Sequence, residues 1–250
     1  MKKILAFLVC LAAAAPALAQ QPCPCPEKKE PPPPAFTGNV GLGYGVSSGN
    51  TDSSTFSLTF GLKYDPKTNN VVKFGGYYLW GQADGVTNQE KANFVLRDEY
   101  SFSERLFAYG EVPYLHDKFK GISYQIAPTA GLGYKVVKTE AVTFAVDGGA
   151  GAVIEKNYGF DTRTSGAFRF GESFEWKATA WAKLTENAFG RWRMDDTSDY
   201  DFHVDLGLSS PLSKILEVRL AYVYDYKSKP VPETLKKGDT SFLASIGAKF

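Results

Sequence analysis

The sequence predicts an all-β chain: a closed antiparallel transmembrane β-barrel of about 12 strands, preceded by a proline-rich disordered arm. Three observations predict it. The chain ends on a strict alternation, with Phe242, Ala244, Ile246, Ala248 and Phe250 on one face and Ser241, Leu243, Ser245, Gly247 and Lys249 on the other. Its beginning has the layout of an export signal. Between the two, alternating segments recur at roughly ten residues or more; soluble strands cluster near five or six, while a tilted membrane strand needs about 9–11.

The N-terminal region reads as an address. Lys2 and Lys3 precede the uncharged run Ile4 to Ala15, and Pro16-Ala17-Leu18-Ala19 supplies an A-x-A cleavage pattern before Gln20. The run is shorter than the roughly 20 apolar residues a helix needs to cross a bilayer. Residues 1–19 are therefore expected to be a cleaved signal peptide. No later apolar run approaches spanning length, which excludes an α-helical membrane protein. Cys10 follows Val9 and Cys23 follows Pro22, contexts that do not suit a lipidated cysteine.

Residues 20–35 hold Cys23-Pro24-Cys25, Glu27-Lys-Lys-Glu30 and Pro31 to Pro34, a composition that favours extended polyproline II. They are expected to form a periplasmic linker, leaving 36–250 as the barrel. Of the three cysteines none lies beyond Cys25, so a disulfide scaffold is excluded. Formal net charge is +1, or −1 once Lys2 and Lys3 leave with the signal, so no basic excess points to nucleic acid.

The barrel strands follow in order. Val40, Leu42, Tyr44 and Val46 alternate with glycines, and Ser48-Gly-Asn-Thr-Asp52 turns the chain. Phe56, Leu58, Phe60, Leu62 and Tyr64 alternate next, followed by the turn Asp65–Asn69 and by Val72, Phe74, Tyr78 and Trp80. Further strands are predicted near Ala92 to Tyr100, Leu106 to Leu115, Ile122 to Tyr134, Val142 to Ile154 and Phe168 to Ala180. Thr185 to Met194, Tyr200 to Leu208, Leu216 to Tyr226 and the closing strand complete the set.

Alternating connections give predicted periplasmic turns at Asp65–Asn69, Phe102–Arg105, Val136–Glu140, Ala182–Glu186 and Ser209–Lys214. Outer loops are predicted at Ala83–Gln89, Glu155–Ala167 and Lys227–Lys237. On this reading Tyr64, Tyr100, Tyr134 and Phe250 form a girdle at the periplasmic strand ends, and Trp80, Tyr124, Tyr200 and Tyr224 form one at the outer ends. Asp98 and Glu172 fall on the outward face, which predicts either a bulge or a place close to the headgroups.

The opposite face collects charge. Lys63, Lys73, Lys91, Arg97, Glu99, Glu111, Glu155, Arg169, Glu175, Lys177, Arg191, Arg193, Asp201, His203, Asp205, Glu217, Arg219, Asp225 and Lys227 are all expected in the lumen. Both signs are present, so the residues either pair and fill the barrel or line a water-filled pore. The inward glycines allow bulky side chains to pack over bare backbone or, alternatively, a locally wider lumen.

Catalytic chemistry is thinly supplied. His203 stands between Asp201 and Asp205, which would suit a carboxylate-oriented imidazole, but no serine has a nucleophile-elbow setting. His116-Asp117-Lys118 is expected in a solvated outer loop. Asp195, Asp196 and Asp199 read as soluble turn residues, and no cofactor or metal is expected.

Val40-Gly-Leu-Gly-Tyr44 with Ser48-Gly-Asn-Thr-Asp52, Ser103-Glu-Arg-Leu-Phe-Ala-Tyr-Gly110, His116-Asp-Lys-Phe-Lys-Gly121, Ala130-Gly-Leu-Gly-Tyr134 and Asp239-Thr240 resemble the salt-induced outer-membrane protein family. The resemblance covers Gly38 to Phe250 and implies an outer-membrane location, not a reaction. The expectation is a non-enzymatic envelope protein of a Gram-negative cell: a small-solute or ion channel, or a filled structural barrel linked to osmotic stress. An outer-membrane lipid hydrolase using a lumen or rim histidine is the alternative reading, and a soluble lipocalin-like binding barrel the third. Expected partners are outer-membrane lipid, small ions or solutes and, during assembly, periplasmic chaperones and the barrel insertion machinery. That machinery would read Phe242, Ala244, Ile246, Ala248 and Phe250 as its signal.

Overall fold

The computed structural model describes residues 35–48, 53–83 and 86–250. The expected signal peptide, the cysteine pair and the proline run up to residue 34 lie outside the described residues, as do 49–52 within the first predicted turn. Thirteen strand segments follow one another: β1 (Phe36–Ser48), β2 (Ser53–Tyr64), β3 (Asn70–Ala83), β4 (Val86–Ser101), β5 (Leu106–Asp117), β6 (Ile122–Ile126), β7 (Thr129–Lys138), β8 (Val142–Asn157), β9 (Arg163–Thr179), β10 (Ala182–Arg193), β11 (Tyr200–Pro211), β12 (Leu216–Lys227) and β13 (Gly238–Lys249). Each is antiparallel to its neighbours, and β1 pairs with both β2 and β13, so the sheet closes on itself. At the seam, Gly38 and Phe250 exchange backbone hydrogen bonds of 2.8 and 2.9 Å, and Phe36 stacks on Phe250 at 6.0 Å.

β6 and β7 are two halves of one barrel-spanning strand, because both lie between β5 and β8. The barrel therefore has 12 strands, as the alternation predicts, although the continuous strand expected from Ile122 to Tyr134 is interrupted. The cause is Pro128, which has no N–H to donate. The freed partners re-pair locally: Ala127 N donates to Pro113 O at 3.2 Å and Ala152 N to Pro128 O at 3.0 Å.

Other boundaries shift. The turn predicted at Ala182–Glu186 lies earlier, at 180–181, and β10 already begins at Ala182. Leu184 and Ala188 there take the outward positions and Thr185 and Asn187 the inward ones, so weak hydrophobicity hid the start of the strand predicted from Thr185 to Met194, which pairs with β9 and β11. Val136 and Val137 extend β7 rather than turning, and Val86 to Gln89 belong to β4 rather than to a loop.

The side chains divide by face. Leu42, Tyr44, Phe56, Leu132, Phe170, Leu220, Phe242 and Ile246 point outward and are exposed, forming the apolar belt of a membrane barrel. A soluble binding barrel would present the reverse pattern. Tyr64, Trp80, Tyr100, Tyr134 and Phe250 are exposed on this face, and Tyr124, Tyr200 and Tyr224 are half-buried on it. Asp98 and Glu172 also face outward, with no bulge to turn them in. Asp98 lies two positions from the girdle residue Tyr100, whereas Glu172 sits deeper, between Phe170 and Phe174.

Candidate functional site

The lumen is the site, and its ionisable side chains are arranged at different levels along the axis. At mid-height Arg97 on β4 is the hub. Its Nε donates to Glu99 at 2.8 Å, its Nη1 to Glu111 at 2.8 Å and its Nη2 to Asp147 at 3.0 Å. Arg169 on β9 shares Glu111 and Asp147, so two guanidinium groups and two carboxylates close a ring. The Nε of Arg169 lies 2.7 Å from Glu111 but is not aimed along a hydrogen bond. Arg97 also stands 4.0 Å from the Tyr109 ring centroid, and Arg169 4.9 Å from that of Phe189.

Toward the end opposite Phe36 and Phe250, pairs cross the lumen. Lys91 on β4 reaches Asp225 on β12 at 2.6 Å, although four strands separate them around the wall. Lys120 in the β5–β6 turn meets Asp239 on β13 at 2.9 Å. Glu155 on β8 gathers Lys227 at 2.6 Å, Arg193 at 2.8 Å and Gln125 at 2.5 Å. Arg193 is only 1 % exposed and also contacts Ser165 and Asp199. Arg191 joins Gln125 and Asp201 at 2.7 Å each.

Over these pairs runs the connection 228–237. Ser228 Oγ donates to Ser198 O at 2.8 Å, and Lys229 meets Asp196 at 2.5 Å. Val231 then lies against the β5–β6 turn on the far wall. Its carbonyl oxygen is 2.7 Å from where a Cβ on Gly121 would stand, and Gly121 has a φ of +73°. Only glycine meets both demands there. The connection is a strap across the outer mouth.

At the terminal end the charges stay near the wall. Lys63 pairs with Asp65, Lys73 with Glu99, Lys183 with Glu175 and Arg219 with Asp205, at 2.8–3.0 Å. A vestibule of about 680 Å³ opens there, lined also by Lys214, Glu217 and Lys249. A more enclosed cavity of about 320 Å³ continues the lumen, between the Arg97–Arg169 ring and the crossing pairs. Lys73 lines both spaces.

One wall of the lumen is apolar. Tyr77, Leu79, Val223 and Leu243 pack together, with Ser57 fully buried nearby. They meet over β1, where the successive inward positions 41, 43 and 45 are glycines; Leu243 Cδ2 is 2.6 Å from the place of a Cβ on Gly45. The choice left open by the glycines falls to bulky side chains over bare backbone.

Most of the predicted lumen charges enter the pairs described above, but three details differ. His203 Nδ1 is bound to Asp225, directly opposite on β12, at 2.7 Å, not to its strand neighbours. Those neighbours are taken: Asp201 by Arg191 and Asp205 by Arg219. His116 belongs to β5 rather than to a loop, with Nδ1 2.8 Å from Ser123 O, while Asp117 turns inward toward Lys91. Asp195, Asp196 and Asp199 are held by Arg163, Arg193 and Lys229. Asp147 was missed because it lies in a run of small residues, Gly148 to Ala152 following it; its place on the face of Ala145 and Gly149 was the available signal.

The family model described as "Protein of unknown function, DUF481" matches residues 40–250. The chain belongs to the DUF481 family. The resemblance read from the motifs therefore holds as membership of an uncharacterised family. This DUF481 barrel is 22% identical over 219 residues to "Uncharacterized protein YdiY" of Escherichia coli (strain K12), covering 85% of the chain and 82% of that protein. In fold it is similar to the NanC porin, with TM-score 0.56 and 7% identity over 84% of the chain and all of the porin. It is also similar to the translocator domain of the autotransporter NalP from Neisseria meningitidis, with TM-score 0.52 and 11% identity over 87% of the chain and 89% of that domain. The DUF481 barrel thus has the fold of outer-membrane, porin-like barrels.

Proposed function

We propose that this DUF481 barrel is a narrow, non-enzymatic outer-membrane channel for small ions or hydrophilic solutes, held closed at its outer end by crossing charge pairs. The observation that carries this is the axial arrangement: the 320 Å³ ionic cavity adjoins the 680 Å³ vestibule at Lys73. The porin-like fold supports the same reading. With the barrel in the outer membrane, the end holding both strand termini and the short turns faces the periplasm.

The test is single-channel recording of the refolded protein in planar bilayers. Small conductance steps are expected, larger in Glu155→Gln, which releases Lys227 and Arg193 from their shared partner, and Lys73→Ala should shift the reversal potential. Silent bilayers containing verified folded protein would sink the channel. They would favour the second reading, a filled structural barrel, for which the buried pairs Lys91–Asp225 and Lys227–Glu155 speak. The osmotic link rests on the family resemblance and is tested by growth of a deletion strain at raised osmolarity. For the hydrolase reading, activity on phospholipid abolished by His203→Ala is the required sign; the stacking of His203 on Phe189 at 5.2 Å supports a structural role instead.

A further inference from the structure

The vestibule at the terminal end presents six basic side chains, Lys63, Lys73, Lys183, Lys214, Arg219 and Lys249, and one acidic side chain, Glu217. The carboxylates that pair with four of the six, namely Asp65, Glu99, Glu175 and Asp205, do not themselves line it. Lys214 and Lys249 have no acidic partner among the described residues. The two are adjacent, since Lys249 N donates to Ile215 O at 2.7 Å. On the same wall, further along β12, Arg219 spends its Nη2 on Asp205 at 3.0 Å, while its Nε is buried with no acceptor. A guanidinium donor without an acceptor, on a side chain that lines a space ringed by ammonium groups, is a cost that an oxyanion would relieve.

We propose that this vestibule is a binding site for a compact, multiply charged oxyanion, a small polycarboxylate or phosphate in solution, held by Lys214, Lys249 and Arg219. Binding there makes anions the species admitted from this end. The selectivity rests on the channel reading; the site itself does not.

Both can be read separately. Citrate is the probe, titrated calorimetrically into the refolded full chain in a maltoside detergent that carries no phosphate. Saturable binding is expected, weakened at least about tenfold in Lys214→Gln/Lys249→Gln. Lys156→Gln, an exposed residue near the opposite end, should leave it unchanged. The variants sit on exposed or half-exposed positions, and heat-modified gel mobility verifies that each is folded. No saturable binding to the folded wild type, or an equal loss in Lys156→Gln, overturns the site. Displacement of citrate by an equimolar short-chain phosphatidylglycerol overturns the free anion in favour of a lipid headgroup. Citrate binding with silent bilayers would remove the channel and keep the site. Conductance without binding or anion preference would do the opposite.

Discussion

The two ends of the lumen carry similar side chains and use them differently. In the outer half, long cations reach over the axis: Lys91 and Lys227 contact carboxylates several strands away and are 5 and 6 % exposed. In the half nearer the termini, Lys63 and Lys73 bend back to Asp65 and Glu99 along the wall, with side chains 47 and 45 % exposed. The number of charges does not decide between a filled and an open barrel. What decides it is whether a side chain finds its partner across the lumen or beside itself. Crossing pairs are desolvated and depend on each other, whereas wall pairs remain hydrated and nearly independent.

The comparison breaks most sharply at Arg193. Arg193→Met leaves Glu155 and Asp199 buried with less positive charge around them, so a loss of about 3–5 kcal/mol in urea unfolding is expected. Lys183→Met at the other end should cost less than about 1 kcal/mol. Equal losses would mean that the two ends are not energetically distinct.

Gly45→Leu comes next. It forces Leu243 off the bare backbone of β1 and should destabilise by about 1–3 kcal/mol. Gly61→Ala, where a new Cβ meets only the movable Asn39 amide at 2.8 Å, should fall below that range. A similar midpoint shift for both would show that the apolar wall is not tightly packed.

The smallest effect concerns pH. The Lys63 ammonium, helped by Lys67, holds the Asp65 carboxyl down to about 2 from its ordinary 3.8. The group therefore adds stability above about pH 4, and that contribution is lost as pH falls through 2. Solvent screening at this exposed turn keeps it to about a few tenths of a kcal/mol. Asp65→Asn should flatten the stability profile between pH 4 and 2 by that amount, measured as the urea midpoint against pH.

The barrel was legible because a period of two survives turns, glycines and weak strands alike. Phe242 to Phe250 and Phe56 to Tyr64 announce their faces without any partner strand. The lumen faces were legible for the same reason, down to His203 and Arg193. Partners were not, since a contact such as Lys91 with Asp225 depends on closure and lumen shape, which no local window contains. His203 shows this at close range, because its carboxylate comes from the facing residue on β12 and not from the residues two places away on its own strand. Pro128 shows the opposite limit. The alternation runs through it undisturbed, while its missing N–H splits the strand.

The seam between β1 and β13 has a consequence in time. Val40 faces Ala248 and Val46 faces Phe242, so residues at opposite extremes of the barrel must meet before the sheet closes. Until they do, the growing sheet has two bare margins, each able to recruit a stranger. A product lacking its last strand is consequently not a smaller version of this protein; it is an unfinished ribbon whose readiest fate is to join another of its kind.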